Sequence, residues 1–308
     1  MKIVYLGTPE FSVLPLKSII ENTSHQVVAV CSNKDKPVGR KKILTSPPVK
    51  VFALENNIPV YQYDKIRLEG VNDLKELAPD LIITCAFGQI LSQEIIDIPT
   101  FGVINIHASL LPKYRGASPI HYAILNGEHK TGISIMKTDV GIDTGDVLLQ
   151  NEIEIYPNET CGELFERLSV LGASSILQAL HLIENGQAVY TKQDDTQATL
   201  TKIIKKEDAL IDFSNDARYI CNQVRAFNPS PIAYTLYKGE NFKIHKCEYV
   251  DMVGAYGQVL QCDNKLVIGC GKGAISLLIV QKAGGKPMNI KEFLVGNRLE
   301  KGFTFGKW

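Results

Sequence analysis

The sequence predicts an α/β chain in two parts: a doubly wound, mostly parallel sheet at 1–189 and a small β-barrel of the OB type at 207–308. A polar linker at 190–206 joins them. Three observations carry this. The first half alternates apolar strand-like runs with helix-like segments, the pattern of βαβ units. Leu81–Ala86 is a continuous apolar run bounded by Asp80 and Gly88, as a central parallel strand buried on both faces requires. Beyond residue 230, five short strands separated by turns replace the long helices. A length of 308 residues also suits two domains.

Lys2–Leu6 reads as the first strand. In Gly7-Thr-Pro-Glu-Phe11, Pro9 is placed to start a helix, with Thr8 as N-cap and Glu10 in the first turn. Val27–Ser32 is the next strand. The first strand is not followed by Gly-x-Gly-x-x-Gly or a Walker-type loop, which disfavours a nicotinamide cofactor or P-loop nucleotide. Asn33–Ser46 carries Lys34, Lys36, Arg40, Lys41 and Lys42 against Asp35 alone. It reads either as a solvated loop or as a mobile basic insert that reaches for phosphates. A helix from Pro47 or Pro48 to about Asn57, a strand at Val60–Tyr63 and a helix at Leu68–Ala78 lead to the central strand. Cys85-Ala-Phe-Gly-Gln89 then turns at that strand's C-terminal end, where ligands gather in open α/β sheets. Strand-end packing is the alternative.

Phe101–Ile120, FGVINIHASLLPKYRGASPI, holds the densest chemistry. Side chains alternate along a strand, so Val103, Asn105 and His107 share one face while Ile104 and Ile106 take the other. An amide and an imidazole near a strand's end are poor core material, because burying either without partners costs a few kcal/mol. Imidazole is the natural proton-transfer group near neutrality, and an amide N–H can serve a developing oxyanion. Spacing alone leaves a satisfied rim histidine as an equal alternative. The loop that follows is broken by Pro112, Gly116 and Pro119.

Pro119–Leu125 reads as a helix and Thr131–Lys137 as a strand. Asp139-Val-Gly-Ile-Asp-Thr-Gly-Asp146 has glycines that let the backbone pass close to a ligand. Asp143 between them suits turn chemistry, or a carboxylate that orients an imidazole. Val147–Ile155 alternates as a strand. Thr160 to about Glu184 is a long helix opened by a Thr160/Glu163 capping box. Asn215–Ala226 is a helix, and strands are expected at Ala233–Tyr237, Phe242–Lys246, Gln258–Leu260, Leu266–Gly269 and Ser276–Gln281.

Asn105-x-His107, Ser109-Leu-Leu-Pro112, Tyr114-Arg-Gly116 with Pro119, and the 139–146 loop together resemble the signature of the folate-dependent formyltransferase family. The resemblance extends over the whole chain. It implies a Rossmann-like catalytic domain with Asn105, His107 and Asp143 as catalytic residues. Ser109, Leu110, Leu111 and Pro112, with Cys85, Phe87 and Gly88, would line the folate site. The implied reaction passes a formyl group from 10-formyltetrahydrofolate to the free amine of a methionine esterified to initiator tRNA, with no metal. The family uses the 33–46 insert on the tRNA acceptor end, which assigns Arg40, Lys41 and Lys42 to tRNA binding. Lys41 stands where some members have Gly, which implies a stiffer loop. Ser230 stands where some have an aromatic, a departure that concerns local packing. Within the same catalytic fold, an amino sugar or a glycinamide nucleotide is the rival acceptor. A folate- or RNA-binding module with a dead site is the rival of another class.

Composition fits this. Hydrophobic residues make up 45% and charged residues 21%, ordinary globular material. The net charge is zero, but residues 1–205 hold 19 Lys and Arg against 23 Asp and Glu, and residues 206–308 hold 14 against 10. The mild basic bias of the second part suits an anionic partner, though a mixed solvated surface would look the same. Seven scattered cysteines with no Cys-x-x-Cys argue for a reducing, cytoplasmic compartment. Gly7, Pro9 and Glu10 break the first apolar run before a signal peptide could form, and no run is long enough for a membrane span. The chain is expected to act as a monomer.

Overall fold

The structure, a computed structural model, describes residues 1–39 and 41–306. Its elements in chain order are β1 (Lys2–Gly7), α1 (Val13–Asn22), β2 (Gln26–Ser32), β3 (Lys36–Val38), β4 (Ile43–Thr45), α2 (Pro48–Glu55) and β5 (Val60–Gln62). Next come α3 (Ile66–Glu69), α4 (Val71–Leu77), β6 (Leu81–Cys85), α5 (Gln93–Ile96), β7 (Val103–His107), β8 (Arg115–Gly116), α6 (Pro119–Leu125), β9 (Lys130–Lys137) and β10 (Val147–Glu154). The rest are α7 (Cys161–Glu184), β11 (Leu200–Thr201), α8 (Ala217–Ala226), β12 (Tyr234–Tyr237), β13 (Glu240–Val250), β14 (Val259–Gln261), β15 (Leu266–Gly269), β16 (Ala274–Gln281), β17 (Met288–Asn289) and α9 (Ile290–Gly296). The chain divides into two compact units. Met1–Gly116, Thr131–Ile153 and Phe165–Thr201 form the first; Ala117–Lys130, Glu154–Leu164 and residues from Lys202 onward form the second.

The first unit holds a seven-stranded sheet in the order β10-β9-β7-β6-β1-β2-β5. Neighbours from β7 to β5 run parallel, and β9 is antiparallel to β7. Because the chain first builds outward from β1 to β5 and then returns to β6 and β7, the order reverses between β1 and β6. The crevice at the C-terminal strand ends beside such a switch point is where open α/β sheets bind ligands. β6 is buried over its whole length. On one sheet face Val4, Leu6, Ala29, Cys31, Ile82 and Val103 pack with Leu74, Phe87 and Ile95 into a closed core. At about 25 cal/mol per Å² of apolar area buried, such a core supplies the main drive for folding.

Several elements differ from their expected form. The helix expected at Pro9 starts at Val13 after a 3-10 turn at Glu10–Ser12. Thr8 caps nothing, since its hydroxyl donates to the Phe87 carbonyl at 3.3 Å. The helix expected over 68–78 is split at Gly70, where a Cβ would lie 2.8 Å from Ile66 Cγ1. The 33–46 insert is a β-hairpin, not a loop: β3 and β4 pair antiparallel around a turn with Gly39 and Lys42 at positive φ. Its base is clasped by Asp35, which accepts from Ser46 Oγ at 3.0 Å and Lys50 Nζ at 2.9 Å. The stretch expected as a linker is ordered over 191–201, with Thr191 bridged to Val147 and β11 paired to β8.

In the second unit β12-β13-β16-β15-β14 form an antiparallel sheet, with β17 added on β16. Register shifts in β13 between Ile244 and Cys247 bend the strand, as bulges do. Tyr237, Phe242, Phe293 and Phe305 pack their rings 5.0–5.7 Å apart inside the sheet. This is the OB-like architecture expected, with α9 and β17 as additions that the strand spacing did not reveal. Helix α8 starts two residues later than expected, because Asp216 accepts from the Arg218 amide and caps it. Among the described residues, no helix is long and apolar enough to cross a membrane.

Candidate active site

Strand β7 delivers Asn105 and His107 to one face at its C-terminal end, beside the switch point. In parallel register Asn105 lies next to Thr84 of β6. The Thr84 hydroxyl donates to Asn105 Oδ1 at 2.8 Å. The orientation of the amide is set on its other side, where the Asp143 carboxylate can only accept and so must face the NH₂; Oδ1 is then left to take the Thr84 hydrogen. Asn105 Nδ2 in turn donates to Asp143 Oδ1 at 3.3 Å, using one of its two hydrogens.

His107 is buried, with 6% of its surface exposed. Its Nε2 lies 2.9 Å from the Tyr114 carbonyl. A carbonyl only accepts, so Nε2 carries a hydrogen, and Nδ1 holds the lone pair whenever the ring is neutral. Nδ1 faces Asp143 Oδ2 at 3.6 Å, a charge-pair distance too long for a hydrogen bond. Asp143 sits at φ +52°, in the left-handed region that Asn and Asp tolerate best. Its Oδ2 accepts from the Gly116 amide at 2.7 Å. Asn105 and His107 are therefore joined in one hydrogen-bonded and electrostatic cluster with Asp143, which lies more than thirty residues further along the chain.

The Ser109–Pro112 loop is braced from β9 and β10. Ser134 Oγ donates to the Ser109 carbonyl at 2.6 Å and accepts from the Leu111 amide at 3.0 Å. Gln150 Nε2 donates to the Leu111 carbonyl at 2.8 Å. Ser109 Oγ closes the loop on the Lys113 carbonyl at 2.6 Å. Leu110 and Pro112 are half-buried and Leu111 is buried. Of the three residues expected at the folate site from the end of β6 onward, Cys85 and Phe87 are buried in the core and Gly88 is exposed. Burial pushes the Cys85 thiol up to about 12, so it stays an uncharged core group. Lys41 and Lys42 stand exposed on the β3–β4 turn, and Arg40 lies outside the described residues.

Partners that sequence reasoning missed complete the arrangement. Thr84 is one, a hydroxyl inside an otherwise apolar strand, which is a signal that could have been read. Gln193, Thr199 and Asp195 are others, from the stretch read as a linker. The Arg115 guanidinium donates to Gln193 Oε1 at 3.0 Å and Asp195 Oδ1 at 2.7 Å, and Thr199 Oγ1 accepts from the Tyr114 amide at 2.7 Å. A cavity of about 530 Å³ opens at the other end of β7, around Gly102, Val103, Lys137 and Tyr190. It contains none of these groups, so the cluster at the strand's C-terminal end is the better site. Among the described residues, no three His, Cys, Asp or Glu side chains are grouped to hold a metal.

An oriented amide donor beside an imidazole–carboxylate pair suits transfer of a carbonyl-type group, where an oxyanion develops and an amine must lose its proton. The chain belongs to the formyl transferase family: residues 1–180 match the formyl transferase model and 203–298 its C-terminal domain. It is 44% identical to the methionyl-tRNA formyltransferase of Alkaliphilus metalliredigens (strain QYMF), over 100% of this chain and 99% of that protein. It is 43% identical to the methionyl-tRNA formyltransferase of Geobacter sulfurreducens, over 100% of this chain and 97% of that protein. Among solved structures it superposes with TM-score 0.67 and 25% identity on WlaRD, a sugar 3N-formyl transferase determined in the presence of dTDP and 5-N-formyl-THF, covering 90% of this chain and 97% of that one.

Proposed function

We propose that the chain transfers the formyl group of 10-formyltetrahydrofolate to the α-amine of methionyl-initiator tRNA, giving the N-formylated initiator for translation. The observation that carries this is the end-to-end likeness to proteins named methionyl-tRNA formyltransferase, at 42–44% identity. The Asn105–His107–Asp143 cluster supports the same chemistry. The free amine attacks the formyl carbon, and the second Nδ2 hydrogen of Asn105 is available to the oxyanion that forms. Asp143, the more exposed of the two, meets the amine, and the Nδ1 lone pair of neutral His107 behind it can take the proton on its way to the leaving folate nitrogen. Oδ1 of Asn105 and Oδ2 of Asp143 are already bonded, so these groups enter the reaction with little reorganisation.

The braced Ser109–Pro112 loop and Gly88 frame the folate end of the crevice in this reading. Lys41 and Lys42, with Arg40, supply phosphate contacts on the hairpin, and the second unit supplies further contacts to the tRNA. The enzyme works as a monomer in the cytoplasm, on a soluble acceptor. The test is formylation with 10-formyltetrahydrofolate, comparing methionyl-initiator tRNA, methionyl-elongator tRNA and free methionine. Transfer to the initiator alone is expected. Transfer to a nucleotide-linked amino sugar, and to none of these three, would overturn the acceptor while leaving the formyl donor.

A further inference from the structure

The carboxamide of Gln193 spans two parts of the active site that no sequence motif joins. Gln193 has 7% of its surface exposed. Its Nε2 donates to the Asp143 carbonyl at 2.9 Å and to the Gly145 carbonyl at 2.7 Å, while its Oε1 accepts from Arg115 Nε at 3.0 Å. The orientation is unambiguous: two carbonyls can only accept and a guanidinium can only donate, so nitrogen and oxygen can be placed one way. Every hydrogen-bonding direction of the side chain that matters is filled. Arg115 is itself buried and is tied on its outer side to Asp195.

We infer that Gln193 is a positioning residue for the formyl transfer, setting the backbone of the 143–145 turn and through it the Asp143 carboxylate. Asp143 is thereby held from two ends. Gln193 grips its main chain, and the amide of Gly116, the residue after Arg115, grips its Oδ2 at 2.7 Å. Both grips run through the Arg115–Gly116 pair. The strand pairing of β8 with β11 and the Thr201 Oγ1 bond to the Arg115 carbonyl at 2.9 Å hold that pair to the same 191–201 strap. Asp143 needs this support. It sits at φ +52°, two residues from Gly145, where the chain passes so close to the Lys137 carbonyl that no side chain fits. Without the two donors, two inward carbonyls lose their partners and the turn can relax, moving the carboxylate relative to His107 and Asn105.

This inference rests on the formyl-transfer reading above. Its test is a kinetic comparison of the full-length wild-type chain with Gln193→Leu, Gln193→Glu, Asp143→Asn and the Asp143→Asn/Gln193→Leu pair, on 10-formyltetrahydrofolate and methionyl-initiator tRNA. Gln193→Leu removes the donors at similar volume. It should lower kcat roughly tenfold to a hundredfold, the scale of a misplaced catalytic group, with both KM values little changed. Gln193→Glu keeps the Arg115 pair, and so the strap, if the leucine variant fails to fold. It should lose rate similarly at neutral pH and recover part of it as acid protonates the new carboxyl and restores one donor. Because Gln193 acts through Asp143, adding Gln193→Leu to Asp143→Asn should cost little more than Asp143→Asn alone. Full kcat in both Gln193 variants, or losses that multiply in the pair, would overturn the positioning role while an active wild type leaves the formyl-transfer reading intact. A wild type inactive on this donor and acceptor would overturn that reading first.

Discussion

Asn105→Ala is the most direct perturbation of the proposed chemistry. It deletes the Nδ2 donor that the reaction assigns to the oxyanion, together with the 3.3 Å bond to Asp143 and the 2.8 Å bond from Thr84. Removing one oxyanion donor typically costs about 10²–10³ in rate, or ~2.7–4 kcal/mol of transition-state stabilisation. The stability cost should be smaller. The Thr84 hydroxyl is not orphaned, because the Ile104 carbonyl already lies 3.3 Å away and can take its hydrogen. Asp143 keeps the Gly116 amide. Two neutral or weakly assisted bonds traded for water come to about 1–2 kcal/mol of folding free energy. The two effects separate experimentally. Single-turnover formyl transfer at saturating folate and tRNA reads the chemistry, and urea unfolding reads the fold. Folate binding should stay near the wild-type value, since Asn105 is assigned to a charge that exists only during reaction. A single-turnover rate within about threefold of wild type would remove Asn105 from the oxyanion site, whatever the change in stability.

Other perturbations test the supporting structure. Gly145→Ala would put a Cβ 1.8 Å from the Lys137 carbonyl, so the 139–146 loop must shift; activity should fall more than about tenfold, with folate affinity and activity measured side by side. Asp35 is held at about 2, first by the Lys50 ammonium and then by the Gln62 amide. Its folded value lies below the ordinary carboxylate value, so its stabilising contribution is complete above about pH 4 and is lost as pH falls towards 2. Asp35→Asn should therefore flatten the acid limb of the Tm–pH curve in that window, and an unchanged limb would show that the clasp does not matter to the fold. Thr160→Ala breaks a capping box in which Glu163 Oε2 accepts from the Thr160 amide at 2.8 Å; about 0.5–2 kcal/mol should be lost, read from the urea midpoint. Lys41→Ala with Lys42→Ala should lower the slope of log affinity for tRNA against log salt by ~1.4–1.8 if both lysines touch phosphates, and leave folate binding unchanged.

What the sequence made legible, and what it hid, follows the range of the interactions involved. The strand period of two put Asn105 and His107 on one face, and the structure keeps them there because β7 is a regular parallel strand. Leu81–Cys85 was readable as a central strand because burial on both faces leaves it apolar in all but Thr84. The partners across the site were not readable. Thr84 meets Asn105 through sheet register, and Gln193 meets Asp143 and Arg115 across 50 and 78 residues of chain. A polar residue in a polar stretch carries no period, so 191–201 looked like a tether. Its glutamine and threonines were composition until the strap placed them against buried carbonyls and amides. The basic insert misled in another way: every residue of β3 and β4 is exposed, so no buried face imposes an apolar period, and the hairpin shows only in its backbone pairing and in the positive φ of Gly39. In both stretches one hydrogen bond of about 1 kcal/mol decides a geometry but leaves no mark on hydropathy. The proposed catalytic cluster thus stands on a legible strand and a legible loop, braced by an illegible strap. Substitutions at Gln193, Thr199 and Thr201, which lie in none of the motifs, should for that reason lower the formylation rate, while substitutions of equal polarity at exposed positions of α7 should not.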